Sequence, residues 1–291
     1  MIDVITVLGF IAALYVIIIL AVILAVWRAA GEQARPVYER YDPARHEFPR
    51  AVSAWLEANA NALSREGFAV AGDLLRLGPP TTQRVLLIVN DVTEERGMVA
   101  AVLGSKGGGG MFVEFTAERP DGRALEVSNT GGPRVFAAAP GWATERFPGV
   151  RDPARLLRVF RALLRQRWGS AALTYPEVQR DPASYLSAAT FRQMSLQVET
   201  GYFRLDPETQ TFKRTLKGAA LMTCKLVPPF RQMLVARQER RAARLLREIG
   251  LEGPDQHPIA PVTLSGSSTV HTDDSDVALL REAAGLPRRP W

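Results

Sequence analysis

Between Val4 and Trp27 the chain reads VITVLGFIAALYVIIILAVILAVW, a stretch without charge in which only Thr6 and Tyr15 carry a polar side chain. As a helix it is about 36 Å long at ~1.5 Å per residue, against a bilayer hydrocarbon core of ~30 Å. A helix of a water-soluble protein keeps a polar face, and this one has none. It therefore reads as a transmembrane helix that crosses with some tilt. A cleavable secretory signal combines a basic start, a shorter apolar core and a small-residue cleavage site. Here Met1, Ile2 and Asp3 precede the run and Trp27-Arg28 ends it, so the expectation is a retained anchor.

The flanks orient the anchor. Arg28, Arg35, Arg40, Arg45 and Arg50 all follow it, and an excess of Lys and Arg marks the cytoplasmic side. The expected topology is a single-pass protein of the cell membrane, with the N-terminus outside and the body in the cytoplasm. The lone Cys224 excludes an intrachain disulfide and is compatible with a reducing compartment. Gly9, Ala13, Ala21 and Ala25 share one face of the helix, where small residues let two helices approach closely and open a route to a homo-oligomer.

Behind the anchor, residues 28–48 read as a juxtamembrane connector broken by Pro36 and Pro43. Residues 49–200 read as an α+β globular domain. Its first helix follows Pro49 and stops at Gly67, with Val52, Trp55, Leu56 and Leu63 on one side. Five strand-like segments come next: 68–77, 84–92, 98–103, 111–118 and 124–128. In the fourth, Val113, Phe115 and Ala117 alternate with Glu114, Thr116 and Glu118, the pattern of a half-buried antiparallel strand. Pro120-Asp121-Gly122-Arg123 is a turn, because Pro presets φ and Gly accepts positive φ. Short connections of this sort predict a five-stranded antiparallel sheet with helices on one face. Residues 129–150, rich in Gly and Pro, read as an irregular excursion.

Asp152-Pro153 supplies an N-cap and a first-turn proline for a helix to Trp168. On it Leu156, Val159, Phe160, Leu163 and Leu164 oppose Arg155, Arg158, Arg161, Arg165 and Arg167. Asp181-Pro182 opens a second helix, to about Glu199. Residues 201–250 read as a hairpin followed by two basic amphipathic helices, parted at Pro228-Pro229. The remainder, 251–291, lacks a hydrophobic pattern and reads as a disordered tail. Within it Asp276–Ala284 is weakly amphipathic and suited to docking on a protein partner.

Net charge is +6, and it is concentrated. Lys213, Arg214, Lys217, Lys225, Arg231, Arg237, Arg240, Arg241, Arg244 and Arg247 stand against Glu239 alone between residues 213 and 247. A cytoplasmic body tethered by its own helix lies beside the anionic inner leaflet, where each Lys or Arg is worth ~1 kcal/mol. An amphipathic helix with Leu, Phe and Met opposite its bases suits that interface. These ten residues are therefore the expected membrane-surface contact, with the bilayer and its anionic inner-leaflet lipids as partners.

The residues favour no catalytic, cofactor or metal site. Gly104-Ser105-Lys106-Gly107-Gly108-Gly109-Gly110 lacks P-loop spacing and precedes a strand instead of a helix. His46, His257 and His271 are far apart and no Cys pair exists for zinc. Cys224 sits in an apolar helical stretch and reads as a packed thiol. Asp73, Asp91, Glu114, Glu118 and Glu126 lie on the strands, where convergence in a pocket would be needed to make a site. The expected function is a non-enzymatic, membrane-anchored interaction or scaffold module. The alternative is a tethered enzyme or small-ligand sensor with its site in loops 90–110 and 128–150. A third reading is a tethered nucleic-acid binder, since helix, hairpin and basic helices follow in an order that resembles a winged-helix module in outline. Its would-be recognition helix offers one base, Arg192, where DNA readers place several.

Overall fold

The computed structural model describes residues 4–46, 48–78, 81–104, 109–136, 141–169, 173–174 and 178–259. In chain order these form α1 (Val4–Arg28), β1 (Glu32–Gln33), β2 (Glu39–Arg40), α2 (Arg50–Ser64), β3 (Ala69–Arg76), β4 (Thr81–Asn90), β5 (Glu95–Gly104), β6 (Gly109–Glu118), β7 (Ala124–Ser128) and β8 (Trp142–Arg146). They continue with α3 (Pro153–Trp168), α4 (Pro182–Glu199), β9 (Phe203–Asp206), β10 (Thr211–Arg214), α5 (Leu216–Leu226) and α6 (Phe230–Glu248). The described residues gather into two compact units. One is drawn from Met1–Pro36, Gly132–Pro140 and Ala188–Arg241, the other from Val37–Gly131, Gly141–Ser187 and Ala242–Trp291.

The larger unit is built on a seven-stranded sheet in the order β2-β3-β4-β5-β6-β7-β8. The chain is α+β, but the expected five-stranded antiparallel sheet is corrected at both edges. Strands β3 to β7 are the antiparallel meander. To it β2, from within the expected connector, adds by pairing Glu39 with Leu75. At the other edge β8 adds parallel to β7, Leu125 opposite Ala143, inside a stretch that composition marks as irregular. A parallel neighbour needs a crossover of some length, and the Gly- and Pro-rich residues before Trp142 are that crossover. They hide a short strand among breakers.

Helices do not cover one face alone, which is the second correction. On one side α2 and α3 pack over Leu75, Ile88, Val99, Val113, Phe115, Leu125 and Val127. Phe115 is the hub, stacked on Phe160 of α3 at 5.7 Å and close to Phe68 at 5.7 Å. On the other side Leu74, Val85, Leu87, Val89 and Ala100 lie under Val178 and Leu186. The reason is visible in β4, where residues 84–90 are all buried. A strand covered on both faces carries a continuous apolar run, VLLIV, in place of alternation.

Helix α3 starts where its cap predicts: Asp152 accepts a hydrogen bond from the Ala154 N–H at 3.0 Å and Pro153 occupies the first turn. The chain past Glu248 is also held for a distance, which corrects the onset of the expected disordered tail. Leu251 and Ile259 pack on the main core, and Asp255 takes a salt bridge from Arg155 at 2.8 Å. Residues 260–291, including Asp276–Ala284, lie outside the described residues.

The smaller unit joins α1 to a three-stranded sheet, β1-β10-β9, and to α5. Its core is Ala34, Met194, Tyr202, Phe203 and Phe212, with Phe136 and Phe191 packed against it. The ring of Phe136 meets Tyr202 and Phe203, and Phe191 meets Phe212.

Candidate functional site

In the smaller unit the apolar helix α1 is long and apolar enough to cross a membrane, and no residue of it is buried. Three of its side chains, Ile19, Ile23 and Val26, are half-buried. They fall at spacings of four and three, one stripe of a helix. The elements packed on α1 are α5 and β10, and the Tyr15 hydroxyl, on the same stripe, donates to the Pro228 carbonyl. Helix α5 is capped by Thr215, whose hydroxyl accepts from the Gly218 N–H and donates to the Gly201 carbonyl. Gly218 is required there: a Cβ would lie 2.0 Å from the Tyr202 carbonyl oxygen. Gly9, Ala13, Ala21 and Ala25 are exposed.

The ten bases are not disposed as one surface. Lys213 ion-pairs with Asp206 across the β9–β10 hairpin and holds that carboxyl well below the usual carboxylate range. Arg214 donates to the Ala30 carbonyl at 3.1 Å and pairs with Glu32 at 3.4 Å. Lys225 donates to the Val135 carbonyl and the Tyr202 hydroxyl, both at 2.8 Å. Arg240 reaches the Ala236 carbonyl, and Arg244 and Arg247 lie near Glu248 and Glu252. Arg241 is exposed and also engaged. Lys217, Arg231 and Arg237 are exposed and are matched by no acid among the described residues. Cys224 is exposed, which corrects the expected packed thiol. The inward positions of α5 are Gly218, Ala219 and Thr223, and position 224 turns outward with Lys217 and Leu221.

In the larger unit the second face of the sheet becomes polar toward β8. Glu114 pairs in register with Ser128, and Ser128 with Arg146. Directly paired residues project from the same face, so the three form a row across β6, β7 and β8, with Glu126 diagonal to Glu114. Three of the acids anticipated on the strands, Glu114, Glu118 and Glu126, therefore do share a face. Ser128 is 1% exposed, and its hydroxyl and the Arg146 Nε are buried without a hydrogen-bond partner among the described residues. Beside this row Arg96 pairs with Glu118 at 3.2 Å and lies under the Tyr185 ring at 5.6 Å. Burial pushes the Glu114 carboxyl well above the usual carboxylate range; the neighbouring Glu126 adds to this by charge and hydrogen bond, and Arg146 opposes it.

That shift has a measurable sign. The folded chain keeps a proton that an unfolded glutamate, with pKa about 4.3, releases. Stability from this group is complete below that value and is lost as pH rises through the raised one. Glu114→Gln keeps a neutral donor beside Glu126 and is expected to raise the thermal midpoint at pH 8 and leave it unchanged near pH 4. Parallel melting profiles for variant and wild type across that range would contradict the protonated pair.

The remaining expectations separate. Asp73 is paired with Arg84 at 2.8 Å on the opposite face, and Asp91 accepts from Gln179. The loop-end amides are structural: Asn90 accepts from the Val92 and Thr93 N–H groups, and Asn129 bridges Val113 to Val150. His46 faces Glu39 at 3.1 Å, His257 is exposed, and no group of three metal-ligating side chains occurs among the described residues. Residues 105–108 of the glycine-rich loop, and His271, lie outside the described residues. Arg146 escaped the sequence reading because its strand is embedded in a Gly- and Pro-rich stretch. Compared with known families, characterised proteins and solved structures, the chain matches no family model, no curated protein and no solved structure.

Proposed function

We propose that this chain is a single-pass membrane-anchored interaction or scaffold module, held at the inner surface of the cell membrane with its N-terminus outside. The observation that supports this is α1, a helix of 25 residues with nothing buried, whose apolar surface calls for lipid. The arginines that follow it support the inward placement of the body. Lys217, Arg231 and Arg237 have charge to offer anionic headgroups, a narrower set than the ten bases of the stretch. The exposed stripe Gly9, Ala13, Ala21 and Ala25 suits close approach of a second anchor, and the C-terminal segment suits a protein partner.

Fractionation of cells expressing the full chain tests the anchor. The protein is expected in the membrane pellet, resistant to high salt and alkaline carbonate and released by detergent. Protease added to sealed cells is expected to spare the body. Release by carbonate would remove the anchor, and digestion from outside would reverse the orientation.

A second reading, a tethered small-ligand sensor or enzyme, finds support in the buried, unpartnered Ser128 hydroxyl between Glu114 and Arg146. It would centre on the sheet face instead of on loops 90–110 and 128–150.

A further inference from the structure

We propose that the outward arginine face of α6 is the docking site of the acidic segment around Asp273, Asp274 and Asp276 of the same chain.

The face is set by what α6 buries. Ala242 and Leu245 are its buried residues, enclosed in the main core of the larger unit with Leu246 and Ile249 packed beside them. Arg237, Arg240, Arg244 and Arg247 follow one another at spacings of three and four, a single stripe of a helix, and all four are exposed. At about 100° per residue the stripe lies opposite Ala242 and Leu245. With its apolar side committed to the core, this half of α6 offers a partner charge alone.

The charge is poorly matched where it stands. Like charges three and four residues apart on a helix repel. The acids beside the stripe are Glu248, 3.5 Å from Arg244, and Glu252, 3.9 Å from Arg247, and every side chain of these pairs is at least 46% exposed. Pairs of that kind contribute little in water and leave the guanidinium forks open to a better-placed carboxylate. Arg240 donates to the Ala236 carbonyl of its own helix.

The sequence holds one run with three acids in four positions, Asp273 to Asp276. Other acids of the larger unit are already spent, since Asp73, Glu95, Glu118, Glu145 and Asp255 each pair with an arginine. The chain also brings the run to the right place. After α6 the Leu251 N–H donates to the Leu246 carbonyl at 2.9 Å, and the Ile259 N–H donates to the Arg151 carbonyl at 3.2 Å. Leu251 and Ile259, the latter the last described residue, pack on the same core as Ala242 and Leu245. Asp273 follows Ile259 by 14 positions, a reach of up to about 48 Å at ~3.4 Å per residue. The stripe from Arg237 to Arg247 is about 15 Å long. A short tether holds its ligand at millimolar effective concentration, which a free acidic partner would have to supply by itself. On the inward placement of the body proposed above, the same arginines face anionic headgroups, so tail and lipid exclude each other on α6.

Crosslinking within the full chain tests the contact. Ser275→Cys is combined with Ala243→Cys, at an exposed position bordering the stripe, or with Asn61→Cys, exposed on α2, each in a Cys224→Ser background. In phosphatidylcholine vesicles at low salt, a short membrane-permeant bis-maleimide is expected to link the first pair within one chain several-fold faster than the second. That advantage should vanish in molar salt. It should also vanish when Asp273→Asn, Asp274→Asn and Asp276→Asn are added, with an unchanged melting midpoint reporting an intact fold. Equal rates for the two pairs, or an advantage that survives the three asparagines, overturn the docking. Links formed between chains instead of within one assign the face to the tail of a second copy and overturn it as well. Phosphatidylglycerol in the vesicles is expected to slow the first pair several-fold. A rate that stays the same there supports the docking and removes the headgroup role of Arg237, so the two readings fail separately.

Discussion

Asp255→Ala is expected to destabilise the larger unit by about 3–5 kcal/mol, the cost of leaving one partner of a buried ion pair without the other. Asp255 accepts from Arg155 at 2.8 Å and from the Arg151 N–H at 2.6 Å. The side chains of Arg155 and Asp255 are 9% and 8% exposed. Without the carboxylate, the guanidinium keeps only the Leu251 carbonyl among the described residues, at 2.8 Å, and an enclosed charge has little water to replace what it lost. The thermal midpoint of the detergent-solubilised chain should fall by roughly 10 °C, given ~2–4 °C per kcal/mol for a domain of this size. Asp255→Asn, which keeps the acceptor but not the charge, should lose less. A change of a degree or two for Asp255→Ala would show that residues 251–259 are not docked on α3.

Arg161→Met is the second large effect, on the order of 3 kcal/mol. Glu95 is 7% exposed at its side chain and is held by two hydrogen bonds from Arg161, at 2.7 and 2.6 Å, and one from the Thr93 hydroxyl at 2.7 Å. The same contact raises the Arg161 pKa, the hydrogen bond it donates to Glu95 outweighing the cost of burial. Methionine fills the volume and removes the charge, so an enclosed carboxylate remains with a single hydroxyl. Adding Glu95→Gln to Arg161→Met should recover more than half of the loss, because the damage lies in the stranded charge. Equal losses for the single and the double variant would mean that the pair matters by packing alone.

Arg155 and Arg161 belong to α3, a helix whose pattern was half legible. The apolar stripe of α3 is the buried one: Leu156, Val159, Phe160 and Leu163 are all fully enclosed. The arginine stripe opposes it, and in the fold Arg155, Arg161 and Arg167 hold Asp255, Glu95 and Glu145. An amphipathic period describes one helix and is blind to acids that arrive from elsewhere in the chain. The sheet followed the same division. Strands β3 to β7 announce themselves through apolar runs or alternation set between turns, with Gly122 at φ 80° in the Pro120–Arg123 turn. Strands β2 and β8 are short edge pieces among breakers, and nothing local separates them from loop. Of the polar row, Glu114 stood out by alternation, but its alignment with Ser128 and Arg146 is a matter of register between strands.

Amino-acid order alone was enough for the apolar helix at the front of the chain, the cap at Asp152 and the turn at Gly122, since each depends on residues within one or two turns of one another. Folding in three dimensions chose which arginines are enclosed with acids, which carboxyl burial pushes toward its protonated form, and that α5 packs on α1. Those outcomes depend on partners up to some two hundred positions apart, as Tyr15 and Pro228 are. Periodicity along a chain reports which side of an element is apolar, and only the assembled contacts report what meets it.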